Sequence, residues 1–520
     1  MHRSIDQSPS LMERFCCWLR RAVVSNRETL LAAFIVGLLT YGYAFTNKLI
    51  NYDDAFFLFS KGATIESGRW ALVLLSLIFP DVSMPWIYGI ITVALIAVSC
   101  CVIVDIFEIQ SKLSKVLLAA LIVCFPSLIA TFTYMFTSSS YGVAFLLAVL
   151  AVWFLKKGTK AGYCAAFGLM IFSLGIYQSY VALTAGLLVV YLIQQVLRGR
   201  ESRQIWRKGT AYVMFLGASL GVYFVITKGV QFVTGRSMGS YASGQIDLSV
   251  SYIFTKLLTA YRYFLEFFTT GSNGLIPTAL SRVIHICLLI LSLGYLIGWV
   301  KGGARKGLGL LALLLVIFPL SVNCMYLFTK PHSVHTLVLY GFVALYVLFI
   351  VLAEHCRLSQ VRLFRKWFYD LTAVILAVVV VSNVYVGNQA YLHMFLKYEN
   401  CMAFYTSLVN DIRATPDFDE NTKIALVGSY QLPDSYDEGF ADIYKIKGVS
   451  GIQPNSYSRE QFVAHFFGFD FKFATALEHE QIELLEEYLE MPLYPYHGSI
   501  KKIGDYLVVK LSPPVPKTES

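Results

Sequence analysis

Long apolar runs separated by short polar segments make up most of this 520-residue chain. A run of about 17 to 25 apolar residues is long enough to cross the hydrocarbon core of a bilayer as a helix. Eleven such windows occur: 29–46, 84–105, 115–135, 139–155, 162–178, 180–197, 210–227, 279–300, 307–328, 335–354 and 368–387. The run from Gly162 to Leu197 is too long for one crossing, and we divide it at the polar interruption Tyr177-Gln178-Ser179-Tyr180. The pattern predicts a polytopic α-helical membrane protein with about 11 transmembrane helices.

Composition supports this class. Hydrophobic residues make up 57% of the chain and charged residues only 14%, and the mean hydropathy is +0.61. A soluble core of this length would not bury so much apolar surface. The net charge of +9 does not indicate nucleic-acid binding, because the Lys and Arg residues lie in short clusters between the apolar runs, where they orient helices. We therefore expect membrane lipids, and no nucleic acid, among the partners.

The basic clusters also predict the topology. With residues 1–28 in the cytoplasm, the later clusters fall inside as well: Lys112/Lys115, Lys156/Lys157/Lys160, the Arg198 to Lys208 segment, Lys301/Arg305/Lys306 and Arg357/Arg362/Arg365/Lys366. This arrangement obeys the positive-inside rule and favours an odd number of spans. It predicts that Asp53, Asp54 and everything after residue 388 are extracytoplasmic. No cleavable signal peptide is evident.

Residues 29–388 form the predicted transmembrane domain, whose first outer loop is 47–85. That loop contains the acidic pair and the apolar segment 71–79, which is too short to span and which we expect to lie in the interface. A second outer region, 228–278, contains a semi-apolar segment at 252–268 that could cover a groove.

The tail, 389–520, has a different composition, since charges return and Pro and Asp punctuate it. Strand-like runs occur at 423–427 and 506–511, and a helical pattern occurs at 478–490. We predict a small extracytoplasmic α/β domain. The ten cysteines are scattered and suggest no disulfide or metal framework.

An acidic pair at the outer membrane edge is costly and usually functional. Transfer of a sugar from a lipid phosphate needs a carboxylate to accept the proton of the attacking hydroxyl, and cations to stabilise the departing phosphate. Asp53 and Asp54 fit the first requirement. The candidates for donor phosphate binding are Arg69, Lys330, His332 and His335.

Simpler roles stay open for each residue. The acidic pair could cap a helix, Glu66 and Arg69 could pair three residues apart on a helix, and Lys330 could be a snorkelling anchor. The histidines could be interfacial residues without a role, and Gln178 and Tyr180 could join helices by hydrogen bonds.

Three stretches together resemble a known family: Asn51-Tyr52-Asp53-Asp54, Glu66-Ser67-Gly68-Arg69-Trp70 and Leu174-Gly175-Ile176-Tyr177-Gln178-Ser179-Tyr180. They look like the bacterial and phage O-antigen glucosyltransferases that cause serotype conversion, which in turn resemble the GT-C membrane glycosyltransferases. The resemblance implies a GT-C-like protein of the bacterial inner membrane. It would transfer glucose from undecaprenyl phosphate glucose to a lipid-linked O-antigen acceptor on the periplasmic face, with inversion at the anomeric carbon.

The resemblance also implies that Asp53 or Asp54 is the catalytic base. Adjacent helical residues point about 100° apart, so one of the two faces the acceptor, and Asp54 is slightly favoured because it adjoins the apolar run Ala55-Phe56-Phe57. Candidates for the substrate groove are Tyr52, Glu66, Tyr177, Gln178, Tyr180 and Arg282. No cofactor is indicated, and the need for a divalent cation is left open.

Two other classes fit parts of the pattern. A lipid-linked oligosaccharide flippase or other transporter would carry polar residues in mid-helix, whereas the midplane here is nearly free of charge. An O-antigen polymerase or ligase would use the same lipid carriers on the same face, but the acidic motif of this chain lies early instead of in a late outer loop.

Overall fold

The computed structural model of the chain describes residues 20, 23–62, 64–247, 249, 252–271, 275, 278–301, 307–358, 362–419, 421–430, 440, 443, 445–454 and 457–513. Within these residues the protein is mostly helical, with one small sheet near the C-terminal end.

The helices of the first half are α1 (Arg27–Thr46), α2 (Tyr52–Phe56), α3 (Trp70–Leu75), α4 (Pro85–Phe107), α5 (Lys112–Val123), α6 (Pro126–Thr133), α7 (Met135–Lys157), α8 (Lys160–Ile176), α9 (Tyr180–Leu197), α10 (Ser202–Thr234), α11 (Ser240–Gln245) and α12 (Ile253–Thr269). The later helices are α13 (Ala279–Lys301), α14 (Leu308–Val322), α15 (Val343–Leu358), α16 (Arg362–Ala414), α17 (Arg459–Phe462), α18 (Ala476–Ile482) and α19 (Glu486–Leu489). The strands are β1 (Lys423–Val427), β2 (Ile500–Ile503) and β3 (Tyr506–Lys510).

In the described part of the chain, eight helical segments are long and apolar enough to cross a membrane. They comprise α1, α4, α5 with α6, α7, α9, α10, most of α13 and most of α16. The chain is therefore a polytopic membrane protein. The other three predicted spans coincide with shorter apolar helices, namely α8, α14 and the segment Tyr340–Cys356. The count of eleven crossings stays a prediction.

The division of the long apolar run at residues 177–180 is confirmed, because α8 ends at Ile176 and α9 begins at Tyr180. Helix α9 is buried along its whole length and packs against α7, α14 and α15. It thus forms the centre of the bundle, and the break before it lies at the end of the bundle where the acidic pair lies.

The last predicted span continues beyond its predicted end. Helix α16 runs past residue 388, where the sequence predicts a domain boundary, to Ala414. Its later part packs against the C-terminal segment: His393 Nδ1 lies 2.9 Å from the Val449 carbonyl oxygen, and the Tyr405 hydroxyl donates to the Pro454 carbonyl at 2.6 Å. One helix therefore joins the membrane bundle to the C-terminal sheet.

The C-terminal sheet has the order β1-β3-β2, with β1 parallel and β2 antiparallel to β3. The predicted strands at 423–427 and 506–511 are confirmed as β1 and β3. The predicted helix at 478–490 is two short helices, α18 and α19, and Thr475 with Glu478 forms a capping box at the start of α18.

Polar contacts collect at the two ends of the bundle. At one end Glu108 pairs with Lys156 at 2.9 Å and with Arg198 at 2.7 Å, and Gln194 donates to the Phe107 carbonyl. These residues belong to connections predicted to be cytoplasmic. The acidic pair, the α8–α9 break and the C-terminal segment meet at the other end, and the candidate site is found there.

Candidate active site

The acidic pair lies on the short helix α2, whose start is fixed by Asn51. The Asn51 side chain accepts a hydrogen bond from the Asp54 N–H at 2.8 Å, and its Nδ2 donates to the Thr133 carbonyl at 2.6 Å. Such an N-cap stabilises the first turn of a helix. It also attaches α2 to the end of α6, so the directions of both carboxylates are set by the bundle.

Asp54 lies in a closed polar cluster. Its side chain is fully buried and forms an ion pair with Lys48. The Ser83 hydroxyl donates to Asp54 Oδ1 at 2.9 Å, and Lys48 Nζ donates to the Ser83 hydroxyl oxygen at 2.9 Å. The cluster joins the beginning and the end of the first loop. These contacts hold Asp54 between the two ends of that loop.

Asp53 has a different environment, since its side chain is only half-buried and accepts a hydrogen bond from the Tyr457 hydroxyl. Burial raises the pKa of the Asp53 carboxyl above its ordinary value, and the neighbouring charge of Asp54 acts in the same direction. The Tyr457 hydrogen bond and the positive charges of Lys447 and Arg69 act to lower that pKa. Asp53 is therefore a reachable carboxylate that faces two cations.

Arg69 is held at this end by the turn before α3. Gly68 adopts a left-handed conformation (φ 71°), and a Cβ at this position would lie 2.6 Å from the Tyr223 hydroxyl oxygen. Gln178 Nε2 donates to the Ser67 carbonyl at 2.9 Å, and the Tyr223 hydroxyl donates to the Gly68 carbonyl at 3.0 Å. The predicted groove residue Gln178 thus clamps the turn that carries Arg69.

The guanidinium of Arg69 lies over the ring of Tyr177, with 5.0 Å between Cζ and the ring centroid. Tyr177 in turn stacks on Tyr141, with 4.5 Å between centroids. Tyr180, predicted to line the groove, is buried in the core against Tyr340. Within this predicted set, Tyr177 contacts Arg69, Gln178 holds the turn before it, and Tyr180 lies in the core.

Glu66 does not pair with Arg69 as the helical spacing allows. It forms an ion pair with Arg236 at 3.1 Å, and its carbonyl accepts from the Gly239 N–H at 3.0 Å. These contacts fasten the end of α10 to the first loop. The charge of Arg69 acts on Asp53, whose pKa it lowers.

Of the three basic residues that follow α14, only His335 joins the cluster. Burial lowers the pKa of His335 to about 3, and the nearby charges of Lys447 and Arg69 add to the effect. Its ring is therefore neutral at physiological pH and offers a hydrogen bond instead of a charge. Lys330 and His332 are exposed on the adjoining turn.

Lys447 and Tyr457 of the tail complete the cluster, and neither residue is predicted from the sequence. Lys447 Nζ lies 5.6 Å from the centroid of the Tyr52 ring, and the Tyr52 hydroxyl oxygen lies 3.3 Å from that of Tyr134. The Thr133 hydroxyl donates to the Lys447 carbonyl at 3.3 Å. Only the change in tail composition hinted that this part of the chain contributes to a site.

Arg282 occupies another part of the same bundle. Its guanidinium donates to the Thr270 carbonyl at 2.6 Å, which links the start of α13 to the end of α12. For metals, the described residues contain no group of three or more His, Cys, Asp or Glu side chains arranged to hold an ion.

The cluster combines one reachable carboxylate, two fixed cations, a neutral imidazole and several tyrosine rings. A carboxylate of this kind can accept a proton, and cations beside it can stabilise a developing phosphate charge. A family model described as glucosyl transferase GtrII matches residues 42–348, which include Asp53, Arg69, Tyr177 and His335. No curated protein matches the chain.

Proposed function

This chain belongs to the GtrII glucosyl transferase family, and from that premise we propose that it transfers glucose from undecaprenyl phosphate glucose to a lipid-linked O-antigen. The reaction takes place at the periplasmic face of the bacterial inner membrane. The observation that carries the proposal is the position of Asp53, whose carboxylate lies within the fields of both Arg69 and Lys447.

In the proposed reaction a hydroxyl oxygen of the acceptor sugar attacks C1 of the donor glucose. Its proton passes to the Asp53 carboxylate as the new C–O bond forms. The bond between C1 and the phosphate oxygen breaks, and its electron pair stays on the phosphate. Direct displacement inverts C1 and leaves undecaprenyl phosphate, a protonated Asp53 and the lengthened glycan.

Arg69 and Lys447 are assigned to the lipid phosphate. Each is held in place before substrate arrives, Arg69 by the Tyr177 ring and Lys447 by the docked C-terminal segment. Preorganised cations stabilise the charge that grows on a leaving phosphate without reorganising during the reaction. The neutral His335, whose Nδ1 is buried without a hydrogen-bond partner among the described residues, is assigned a hydrogen bond to the same phosphate.

The arrangement of the connecting segments supports a periplasmic site. Asp53 and Arg69 come from the first outer loop. Four later segments that the positive-inside rule also puts outside supply Tyr134, Tyr177, His335 and Lys447. Interactions link these residues within one cluster. Glu108, Lys156 and Arg198 come from connections that the rule puts inside, and they pair at the opposite end. We infer a GT-C-like arrangement of eleven crossings with the C-terminal sheet in the periplasm.

Transfer of radiolabelled glucose from undecaprenyl phosphate glucose, measured in membranes, tests the proposal. We expect label in the O-antigen acceptor only when the protein is present, and mass analysis of the surface polysaccharide should gain one hexose per repeat. Movement of the lipid across the membrane without transfer would contradict the proposal and indicate a flippase.

The same assay tests the phosphate assignment. Lys447→Ala should raise the donor KM strongly, because loss of a charged hydrogen bond to an oxyanion costs on the order of 2 to 4 kcal/mol. Lys330→Ala is a matched control, since Lys330 is an exposed lysine on the turn that leads to His335. Equal donor kinetics in the two variants would show that Lys447 does not bind the donor phosphate.

A further inference from the structure

Exposed aromatic rings lie directly beside Asp53. Tyr457 is 55% exposed and Phe56 is 38% exposed. Their ring centroids are 5.4 Å apart with an angle of 39° between the planes. The ring centroids of Tyr52 and Tyr457 are 6.1 Å apart in an edge-to-face arrangement. We call the two exposed rings of Phe56 and Tyr457 the aromatic shelf.

The shelf is linked to the base by a hydrogen bond. The Tyr457 hydroxyl donates to Asp53 Oδ1, and an acceptor hydroxyl must donate to this carboxylate before it can lose its proton. A phenol that occupies this position imitates the acceptor hydroxyl. The acceptor must therefore displace the phenol from Asp53 or share the carboxylate with it.

A sugar ring suits the shelf chemically. The C–H face of a pyranose is apolar and packs on aromatic rings, while the hydroxyls at its edge reach polar partners. Aromatic side chains give large contact areas with few rotatable bonds, and binding pockets combine such rings with a few well-placed polar groups. The polar group here is Asp53 itself, which is within reach of the shelf.

We propose that the aromatic shelf is the acceptor-sugar subsite, where the sugar ring packs on Tyr457 and Phe56 and its attacking hydroxyl takes the place of the Tyr457 hydroxyl on Asp53. This inference rests on the proposed function, since it names where the acceptor of that reaction binds. Tyr457 lies in the tail, beyond the part of the chain that the family model matches. The tail thus contributes to acceptor recognition as well as to phosphate binding.

Direct binding tests the subsite without relying on turnover. The probe is the O-antigen oligosaccharide released by mild acid from the host lipopolysaccharide, titrated into the purified full chain in detergent and followed by NMR. Tyr457→Ala and Phe56→Ala should each weaken binding roughly three- to tenfold, as expected for loss of an aromatic contact. Tyr457→Phe keeps the ring and removes the competing hydroxyl, so it should bind at least as tightly as the parent.

Tyr496→Ala is the matched control, because Tyr496 is a tail tyrosine that is 72% exposed. Its affinity for the oligosaccharide and its donor KM should equal those of the parent. Unchanged oligosaccharide binding in both shelf variants would overturn the subsite, and so would a defect confined to undecaprenyl phosphate glucose, which would assign the shelf to the lipid. Weakened binding with no glucose transfer by the parent would support the shelf and contradict the proposed function.

Discussion

At the scale of single residues, two neighbouring carboxylates have opposite environments. Asp54 is fully buried with Lys48 and Ser83, whereas Asp53 is half-buried and faces Tyr457, Lys447 and Arg69. Replacing one partner of a buried ion pair lowers the stability of the protein, because the other charge then stays buried without compensation. We therefore propose that Asp54 is a positioning residue and that Asp53 is the base.

Asp54→Asn should lower stability more than it lowers the turnover of the protein that remains folded. The amide cannot neutralise Lys48, and we expect a loss on the order of 2 kcal/mol, less than for a fully buried pair because 27% of the Lys48 side chain is exposed. Thermal unfolding in detergent measures the loss. The double variant Lys48→Gln/Asp54→Asn should recover part of the stability, and a parent-like melting temperature for Asp54→Asn would contradict the assignment.

The pH dependence of kcat/KM should report Asp53. A base must be ionised, and burial raises the pKa of Asp53, so activity should be lost as the pH falls through a value above the ordinary Asp pKa of about 3.9. Lys447→Met removes a charge that lowers this pKa, so the acidic limb should move to higher pH.

The same profile checks His335. Because the pKa of His335 is about 3, its ring should not titrate near the ordinary histidine value of about 6.5. An acidic limb near 6.5 that disappears in His335→Gln would contradict this account and make His335 the titrating group.

Residue types indicated part of the site before the fold was known. The acidic pair is predicted because adjacent carboxylates at a membrane edge are costly without a role. Arg69 and His335 are predicted because a departing phosphate needs groups that stabilise its charge, and Tyr177 is predicted from the family resemblance. The sequence slightly favoured Asp54 over Asp53 as the base. It did not reveal that Lys48 and Ser83 bind Asp54, because those contacts depend on how the first loop closes. Lys447 and Tyr457 carried no local signal, since their role arises from contacts across several hundred positions of the chain.

At the scale of elements, the docked C-terminal segment decides where Lys447 lies. Gly448 follows it with a φ of 87°, and a Cβ there would lie 1.9 Å from Thr133 Oγ1. The Thr336 hydroxyl also donates to the Lys445 carbonyl at 3.0 Å. The segment thus fits closely against α6 and the turn that follows His335.

Gly448→Ala should displace Lys447 and raise the donor KM. Gly468→Ala is the matched control, because Gly468 also has a positive φ (72°) but nothing lies within 4 Å of a Cβ at that position. Both variants bear the backbone strain of a left-handed alanine, about 1 to 2 kcal/mol, so only Gly448→Ala adds a clash. Glucose transfer at varied donor concentration distinguishes them, and identical donor KM values would show that the close fit does not position Lys447.

The hydrophobic periodicity predicted which helices and strands occur more accurately than it predicted where they begin and end. Polar residues at 177–180 marked the α8–α9 break correctly, and β1 and β3 were visible as short apolar strands. Strand β2 was missed because Lys501 and Lys502 interrupt it, and exposed lysines are common on an edge strand. The length of α16 was missed because its later part is held by tertiary contacts with the tail and not by an apolar run.

At the scale of the whole molecule, the connections between helices group at the two ends of the bundle. This grouping predicts the side of the membrane on which each connection lies. Cysteines introduced at the exposed positions Ser60 and Glu480 should react with a membrane-impermeant maleimide in intact cells, while one at Glu201 should react only after lysis. The parent chain gives the background of native cysteines. Labelling of Glu201→Cys in intact cells, or protection of Glu480→Cys from the maleimide, would show that the topology is the reverse of the predicted one and would exclude a periplasmic site.

The most direct measurement of the central claim is the turnover of Asp53→Asn with undecaprenyl phosphate glucose and the O-antigen acceptor. An amide cannot take the proton of the attacking hydroxyl, so turnover should fall roughly 100-fold or more, within the range of general-base catalysis. The donor KM and the yield of extracted protein should match those of the parent, because Asp53 is half-buried and outside the Asp54 cluster. Full glucose transfer by Asp53→Asn would contradict the account.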